Sequence, residues 1–183
     1  MDTKPPVVAD LLTKVRRPEK TVPICLAGDL QAEFEDLDRD LAIAREQPAD
    51  GTLAGGGNPL ATQLAHQIME LRERMREHTT VFRFRGLPRK AFSDLVAAHP
   101  PSDEDKETGN DVNWETFGVA LVSACAVEPE MTEAETGQLA DALTQAQWDS
   151  LFAAAWSVNK RDVDVPFSYA ASAVLQSSKK NSK

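Results

Sequence analysis

The chain has 183 residues and a mass of 20.0 kDa, which fits one domain of ordinary size or two small ones and excludes a large multidomain enzyme. A hydrophobic fraction of 42%, a charged fraction of 27% and a mean hydropathy of -0.38 are typical of a soluble globular protein. The net charge of -9 repels phosphate backbones, so nucleic acid is not expected as a partner.

Residues 1–20 are polar and contain prolines, and we expect a flexible N-terminal segment. They include no apolar stretch of signal-peptide length, and no apolar run in the chain approaches the ~18 residues of a spanning helix. Neither a secretory signal nor a membrane segment is therefore predicted.

The two cysteines, Cys25 and Cys125, are far apart, with no CxxC motif and no Cys/His cluster around either. This spacing excludes the common zinc patterns. Both lie in apolar runs, which favours buried free thiols, although a disulfide between them stays open. The cysteines thus predict a protein of the reducing cytoplasm.

Residues 21–86 are predicted to form a strand-helix-helix-strand unit. The run Thr21–Leu26 favours a strand that Pro23 confines to an edge, and Thr79–Arg85 has the period-two alternation of a half-buried strand. Between them, two apolar stripes at helical spacing predict amphipathic helices: Leu30, Phe34, Leu37, Leu41 and Ala44 in the first, and Leu60, Leu64, Ile68, Leu71 and Met75 in the second.

The connector between these two helices is rich in Gly and Pro, which predicts an antiparallel αα-hairpin. The hairpin would bring the two strands together as an antiparallel pair. It is expected to bury Phe34, Leu37 and Leu41 against Leu64, Ile68 and Leu71. The sequence leaves open whether the hairpin packs on the rest of the chain or projects as an arm.

Residues 87–166 are predicted to form a compact domain of four helices. The first begins near Pro88 and ends before His99, the second spans Val112–Val127, and residues 102–111 between them form an acidic surface loop. Capping-box spacings predict the starts of the other two helices: Thr132 with Glu135, and Thr144 with Gln147. The fold class is therefore mainly α, an αα-hairpin flanked by two short paired strands and followed by a four-helix domain.

Negative charge is concentrated in the second half of the chain. Residues 86–166 carry five basic and fifteen acidic residues, whereas residues 167–183 carry three basic residues and no acidic one. The C-terminal segment 167–183 is accordingly predicted to be basic and disordered at its end.

The candidate catalytic and ligand-binding patterns are weak. His66, His78 and His99 lack a second metal ligand at helical spacing and a nucleophile nearby, so no catalytic or metal site is predicted. The acidic loop lacks the spacing of a calcium site, and the glycine run 55–57 lacks the pattern of a phosphate-binding loop. No cofactor is expected.

The one basic cluster with interleaved aromatic residues consists of Arg83, Arg85, Arg89 and Lys90. Such a cluster is compatible with nucleic-acid binding, but the negative net charge favours pairing of these residues with acidic surface groups.

The apolar segment around Val165, Phe167 and Tyr169, after the last helix, has two interpretations. It either folds back over the domain, which we favour, or docks on a partner.

Three segments in succession resemble a known family: FRFRGLPRKAFSDLVAAHPPSDEDK, VNWETFGVALVSACAVEPEMTEAE and LTQAQWDSLFAAAWSVNKRDVDVPFSYAAS. Together with ICLAGDLQAEFEDLDRDL they are similar to the tail assembly chaperones of long-tailed phages and prophages of actinobacteria. The resemblance covers about residues 21 to 172. Its parts are the LPR helix start, the HPP stop, the NxETF helix start, the acidic-Pro break and the WxxLFxAAWxxN–DVDVPF ending.

This resemblance implies a non-enzymatic protein of the host cytoplasm that binds the tape measure protein and keeps it soluble until the tail tube polymerises around it. It also implies the tail tube protein and a frameshifted longer form of the chain as further partners. Val165, Phe167 and Tyr169 are the candidate partner-binding residues. The alternative is a structural virion component, a tail or head-completion protein, and the oligomeric state stays open.

Overall fold

A computed structural model describes residues 7–46 and 58–161. The protein is mainly helical, with a small three-stranded antiparallel sheet. The described elements follow in the order α1 Val8–Lys14, β1 Glu19–Cys25, α2 Asp29–Glu46, α3 Pro59–Glu77, β2 Thr79–Arg85, α4 Arg89–Ala98, α5 Asp103–Glu107, α6 Trp114–Cys125, β3 Ala126–Glu128, α7 Glu133–Ala142 and α8 Gln145–Lys160.

The predicted pairing of the two strands is confirmed. β1 and β2 are antiparallel, with Val22 opposite Phe82 and Cys25 opposite Thr79. The alternation of β2 buries Phe82 and Phe84, as the period of two predicts. β3 then pairs with the other edge of β2, so the sheet order is β1-β2-β3.

The core lies between the sheet and the C-terminal helices. Phe84 of β2, Phe117 and Leu121 of α6, and Leu151 of α8 are all fully buried and belong to one apolar cluster. The strands of the 21–86 unit therefore share a core with the helices of residues 87–166. Aromatic side chains extend this core toward α4, with edge-to-face contacts of Phe92 to Phe117 at 6.4 Å and to Trp156 at 6.2 Å between ring centroids.

One close backbone approach fixes α8 against the end of the sheet. Gly86 lies directly after β2, and a Cβ atom there would collide with the carbonyl oxygen of Val158. The same junction is tied by Gly86 N–H donating to Pro18 O at 2.9 Å and Leu87 N–H donating to Asn159 Oδ1 at 2.7 Å. Glycine is required here because no side chain fits between the two backbones.

The predicted helix starts at the two capping boxes are confirmed. Thr132 accepts from Glu135 N–H and Thr144 accepts from Gln147 N–H, while the Glu135 and Gln147 side chains accept from the N–H groups of these caps. Each box satisfies N–H groups that the first turn of a helix cannot pair internally.

Three elements differ from the sequence-based expectation. The predicted flexible segment 1–20 contains the short helix α1, and the expected acidic loop 102–111 contains α5, which Ser102 and Asp105 begin with a third capping box. The expected helix Val112–Val127 begins at Trp114 and gives way to β3 after Cys125. Pairing with β2 satisfies the backbone of β3, so tertiary contact overrides the local helical pattern.

In the described parts of the chain, no helix is both long enough and apolar enough to cross a bilayer.

Candidate partner-binding site

The αα-hairpin of α2 and α3 is the largest feature that is not absorbed into the core. Its two helices make their principal contacts with each other, while β1, β2 and α6 pack with α8. Leu64, Ile68 and Leu71 of α3 are buried as predicted, whereas Phe34, Leu37 and Leu41 of α2 are only half-buried. A two-helix layer leaves the flanks of each apolar stripe open because no third element of residues 7–46 and 58–161 covers them.

Both ends of the hairpin are anchored by side chains. At the distal end, Asn58 caps α3 by accepting from Leu60 N–H at 3.0 Å, and its Nδ2 donates to Ala44 O of α2 at 2.7 Å. At the end next to the sheet, Gln147 Nε2 donates to Cys25 O at 3.0 Å, which ties this end to the start of α8. The hydrogen bond from Asn58 thus joins α2 and α3 at the distal end, and that from Gln147 joins the end of β1, which leads into α2, to α8.

Two apolar depressions lie along the seam between α2 and α3. The distal one has a volume of about 490 Å³ and is lined by side chains that include Leu41, Arg45, Ala61, Ala65 and Met69. The one near the sheet has a volume of about 270 Å³ and its lining includes Phe34, Arg72, Met75 and Arg76.

The two depressions lie on the same side of the hairpin. On α3, their lining residues Ala61, Ala65, Met69, Arg72 and Arg76 follow one another at steps of four, four, three and four, which is a single row along a helix. On α2, Phe34, Leu41 and Arg45 likewise share one side. Residues 61 to 76 span about 22 Å at 1.5 Å per residue. We call this continuous surface the hairpin groove.

The hairpin groove has an apolar floor and basic edges. Its lining includes Arg45, Arg72, Arg76 and His66 but no carboxylate. Arg72 Nη1 lies 3.9 Å from Met69 Sδ, so the charged guanidinium group lies beside the apolar floor. The hairpin groove is therefore positively charged, although the chain as a whole has a net charge of -9.

The other flank of the hairpin is polar. There Arg74 of α3 lies 3.5 Å from Glu33 of α2, an exposed ion pair that crosses the seam. The contrast between the two flanks gives the hairpin one side suited to an apolar partner with acidic edges. A groove between two helices can accept the apolar face of a third helix.

The partner-binding residues that the sequence predicted, Val165, Phe167 and Tyr169, lie outside the described residues. The groove residues Arg45, Met69 and Arg72 were not singled out from the sequence. The row of Ala61, Ala65 and Met69 beside the buried stripe of α3 is the signal that could have indicated them.

The histidines occupy three separate places. His66 lines the hairpin groove, His78 is the C-terminal cap of α3, and His99 Nδ1 lies 3.0 Å from Thr116 Oγ1. Within residues 7–46 and 58–161, no group of three His, Cys, Asp or Glu side chains is arranged to hold a metal ion.

Both cysteines are free thiols. Cys125 is buried in the core, and burial raises the pKa of its thiol above the ordinary value. Its Sγ lies 3.1 Å from Asn159 Nδ2. A buried thiol with a raised pKa has little thiolate, so Cys125 is a packing residue rather than a nucleophile.

The arginines of β2 are engaged in ion pairs. Arg85 Nε lies 2.6 Å from Glu19 Oε1, and Arg83 lies 3.8 Å from Glu19 and 3.0 Å from Glu128. The predicted pairing of these arginines with acidic groups is confirmed. The hydrogen bond from Arg85, with the charges of Arg85, Arg83 and Arg17, holds the pKa of Glu19 below its ordinary value.

No protein-family model matches the sequence, and neither the curated proteins nor the solved structures include a match.

Proposed function

We propose that the protein is a non-enzymatic phage tail assembly chaperone of the host cytoplasm, which binds the tape measure protein before the tail tube polymerises. The observation that supports this most strongly is the hairpin groove, a row of two apolar depressions about 22 Å long between two helices that the described residues leave uncovered. A tape measure protein is a long helical chain, and its exposed apolar faces require cover while it is unassembled.

The dimensions of the groove suit one amphipathic helix. A length of about 22 Å corresponds to about four helical turns, enough to seat anchors at i, i+4, i+7 and i+11 of a bound helix. Arg45 and Arg72 at its edges favour a helix with Asp or Glu beside its apolar face, whereas Arg76 is paired with Glu73 at 2.9 Å. The partner surface is therefore expected to be an acidic amphipathic helix.

The charge distribution of the chain suits a solubilising role. Residues 86–166, which follow the hairpin, carry the acidic excess of the chain. Because a partner bound at the groove contacts the hairpin, we expect these acidic residues to face solvent in the complex. Net charge far from zero opposes association between such complexes. Each bound copy would add negative charge to an otherwise aggregation-prone helical chain.

Co-expression with the tape measure protein of the same phage or prophage tests this function. We expect the tape measure protein to be soluble and to co-purify with this protein, and to aggregate without it. Equal solubility in both cases, with no co-purification, would reject the proposal. Mass spectrometry of purified phage particles distinguishes a chaperone from a structural virion component. A chaperone should be absent from the particles, whereas a virion component should be detected in them.

A further inference from the structure

The short helix α1 has an apolar stripe that no described residue covers. Val8, Leu11, Leu12 and Val15 follow the helical spacing of three, one and three, and their exposed fractions range from 46% to 69%. A seven-residue helix is too short to be stable in isolation, so it requires packing against another segment. The exposed apolar stripe of α1 is the surface on which we expect such a segment to pack.

The C-terminal end of α1 and the residues after it carry positive charge, which the neighbouring Glu19 offsets only in part because its carboxylate pairs with Arg85 and Arg83. Among the described residues, no carboxylate lies within ion-pairing distance of Lys14, Arg16 or Arg17. Arg16 Nη1 donates instead to Thr13 O and Val15 O, both at 3.0 Å, and Arg17 Nη1 donates to Gly86 O at 3.1 Å. A depression of about 560 Å³ adjoins these groups and is lined in part by Leu12 and Val15.

The described chain ends beside this surface. Asn159 of α8 accepts a hydrogen bond from Leu87 N–H, and the adjoining Gly86 N–H donates to Pro18 O in the segment between α1 and β1. The last described residues of α8 therefore lie at the junction through which the chain from α1 enters the sheet. Six extended residues reach about 20 Å, whereas α1 is only about 10 Å long.

The sequence that follows α8 complements α1 in both polarity and charge. Apolar side chains alternate through it at Val163, Val165, Phe167 and Tyr169, and its two acidic residues are Asp162 and Asp164. The N-terminal stripe is apolar with basic residues at one end, so the two segments match.

We propose that residues 162–169 dock on α1 of the same molecule, with the apolar residues against Leu11, Leu12 and Val15 and the two aspartates facing Arg16 and Arg17. This segment could cover its own chain or dock on a partner. The exposed apolar surface of α1 favours the first of these roles. This inference is independent of the chaperone function because it concerns two segments of one chain.

Disulfide formation in the full-length protein tests the contact. Leu12→Cys and Phe167→Cys are combined in a Cys25→Ser background, and buried Cys125 is retained. The control combines Phe167→Cys with Leu60→Cys, because Leu60 is also an exposed leucine (49%, against 69% for Leu12) but lies at the distal end of the hairpin. We expect intramolecular disulfide to form at least about tenfold faster in the first pair than in the control. Equal rates, or disulfides between copies, would overturn the proposal.

Hydrogen exchange provides a second readout that needs no engineered thiol. Deletion of residues 162–183 should raise the exchange of α1 amides several-fold and leave α6 and α8 unchanged. Replacing Asp162 and Asp164 together by Lys should have the same effect, since it places like charges next to Arg16 and Arg17. Unchanged exchange in α1 after the deletion would also overturn the proposal.

Discussion

Asn159 and Leu87, which are 72 positions apart, join the end of α8 to the start of the C-terminal helices by a 2.7 Å hydrogen bond from Leu87 N–H to Asn159 Oδ1. The Nδ2 group of Asn159 also donates to Ala155 O at 2.8 Å. One side chain thus connects α8, the end of β2 and the core thiol of Cys125.

Asn159→Ala should lower the free energy of unfolding by about 1–3 kcal/mol, because it leaves a half-buried backbone donor without its acceptor. Ser150→Ala is the control, since Ser150 lies on the same helix, is exposed and bonds only within its own turn. Urea denaturation of both variants provides the comparison. Equal stability of the two would contradict the role assigned to Asn159.

Gly86→Ala should destabilise the protein by about 1–3 kcal/mol, because the added Cβ meets the carbonyl of Val158 and forces the backbones apart. Gly137→Ala is the matched control, as Gly137 lies inside α7 with open space around it. Alanine there should be neutral or stabilise by about 0.5–1 kcal/mol. Thermal unfolding followed by circular dichroism measures both; the same shift in Tm for both would contradict the close approach.

The stability of the hairpin should depend on its buried seam and not on its groove. Ile68→Ala is expected to cost about 2–5 kcal/mol locally, whereas Met69→Ala, at an exposed position, should cost little. Hydrogen exchange should rise in α2 and α3 for the first variant only. Trp114, Trp148 and Trp156 all lie in the C-terminal helices and provide an internal check, since their emission should not change.

Two capping boxes with different chemistry predict a pH dependence. Hydrogen bonds from the backbone and side chain of Thr132 hold the pKa of Glu135 below its ordinary value. Because the folded-state pKa is the lower one, this contribution to stability is complete above the unfolded value of about 4.3 and is lost as the pH falls through the folded value.

Glu135→Gln keeps the geometry of the box and removes its titration, as Gln147 already does at Thr144. The free energy of unfolding of this variant should therefore fall less steeply with pH between about 5 and 3 than that of the wild type. Gln147→Glu should fall more steeply. Identical slopes in all three proteins would show that these boxes do not contribute to acid unfolding.

The sequence predicts those elements whose local pattern and tertiary role agree. Phe82 and Phe84 alternate with arginines and lie in a half-buried strand, and Thr132 and Thr144 begin helices as their spacing indicates. α1 was missed because its stripe of Val8, Leu11, Leu12 and Val15 reaches no buried position, so its formation depends on contacts beyond the helix itself.

The hairpin groove could be predicted only in part. The apolar stripes of α2 and α3 are visible in the sequence, and that of α3 correctly includes the buried Leu64, Ile68 and Leu71, although Leu60 is exposed and Met75 is only half-buried. Which flanks of the two helices adjoin depends on their rotation about the seam, and one contact that constrains it, from Asn58 to the backbone carbonyl of Ala44, is not visible in the stripes. Arg45 and Arg72 lie on different helices, so the basic edge that they form could not be predicted before the packing of the hairpin was known.

Substitutions on the two sides of the hairpin test whether the hairpin groove binds the tape measure protein. Met69→Glu places a charge inside the groove, whereas Ile43→Glu places the same charge at an equally exposed apolar position outside the lining of the groove. Retention of the tape measure protein by each tagged variant is measured in co-purification, after circular dichroism establishes that both are folded. We expect Met69→Glu to retain at least about tenfold less tape measure protein than the wild type, and Ile43→Glu to retain nearly as much as the wild type. Equal retention by the two variants would contradict binding at the hairpin groove.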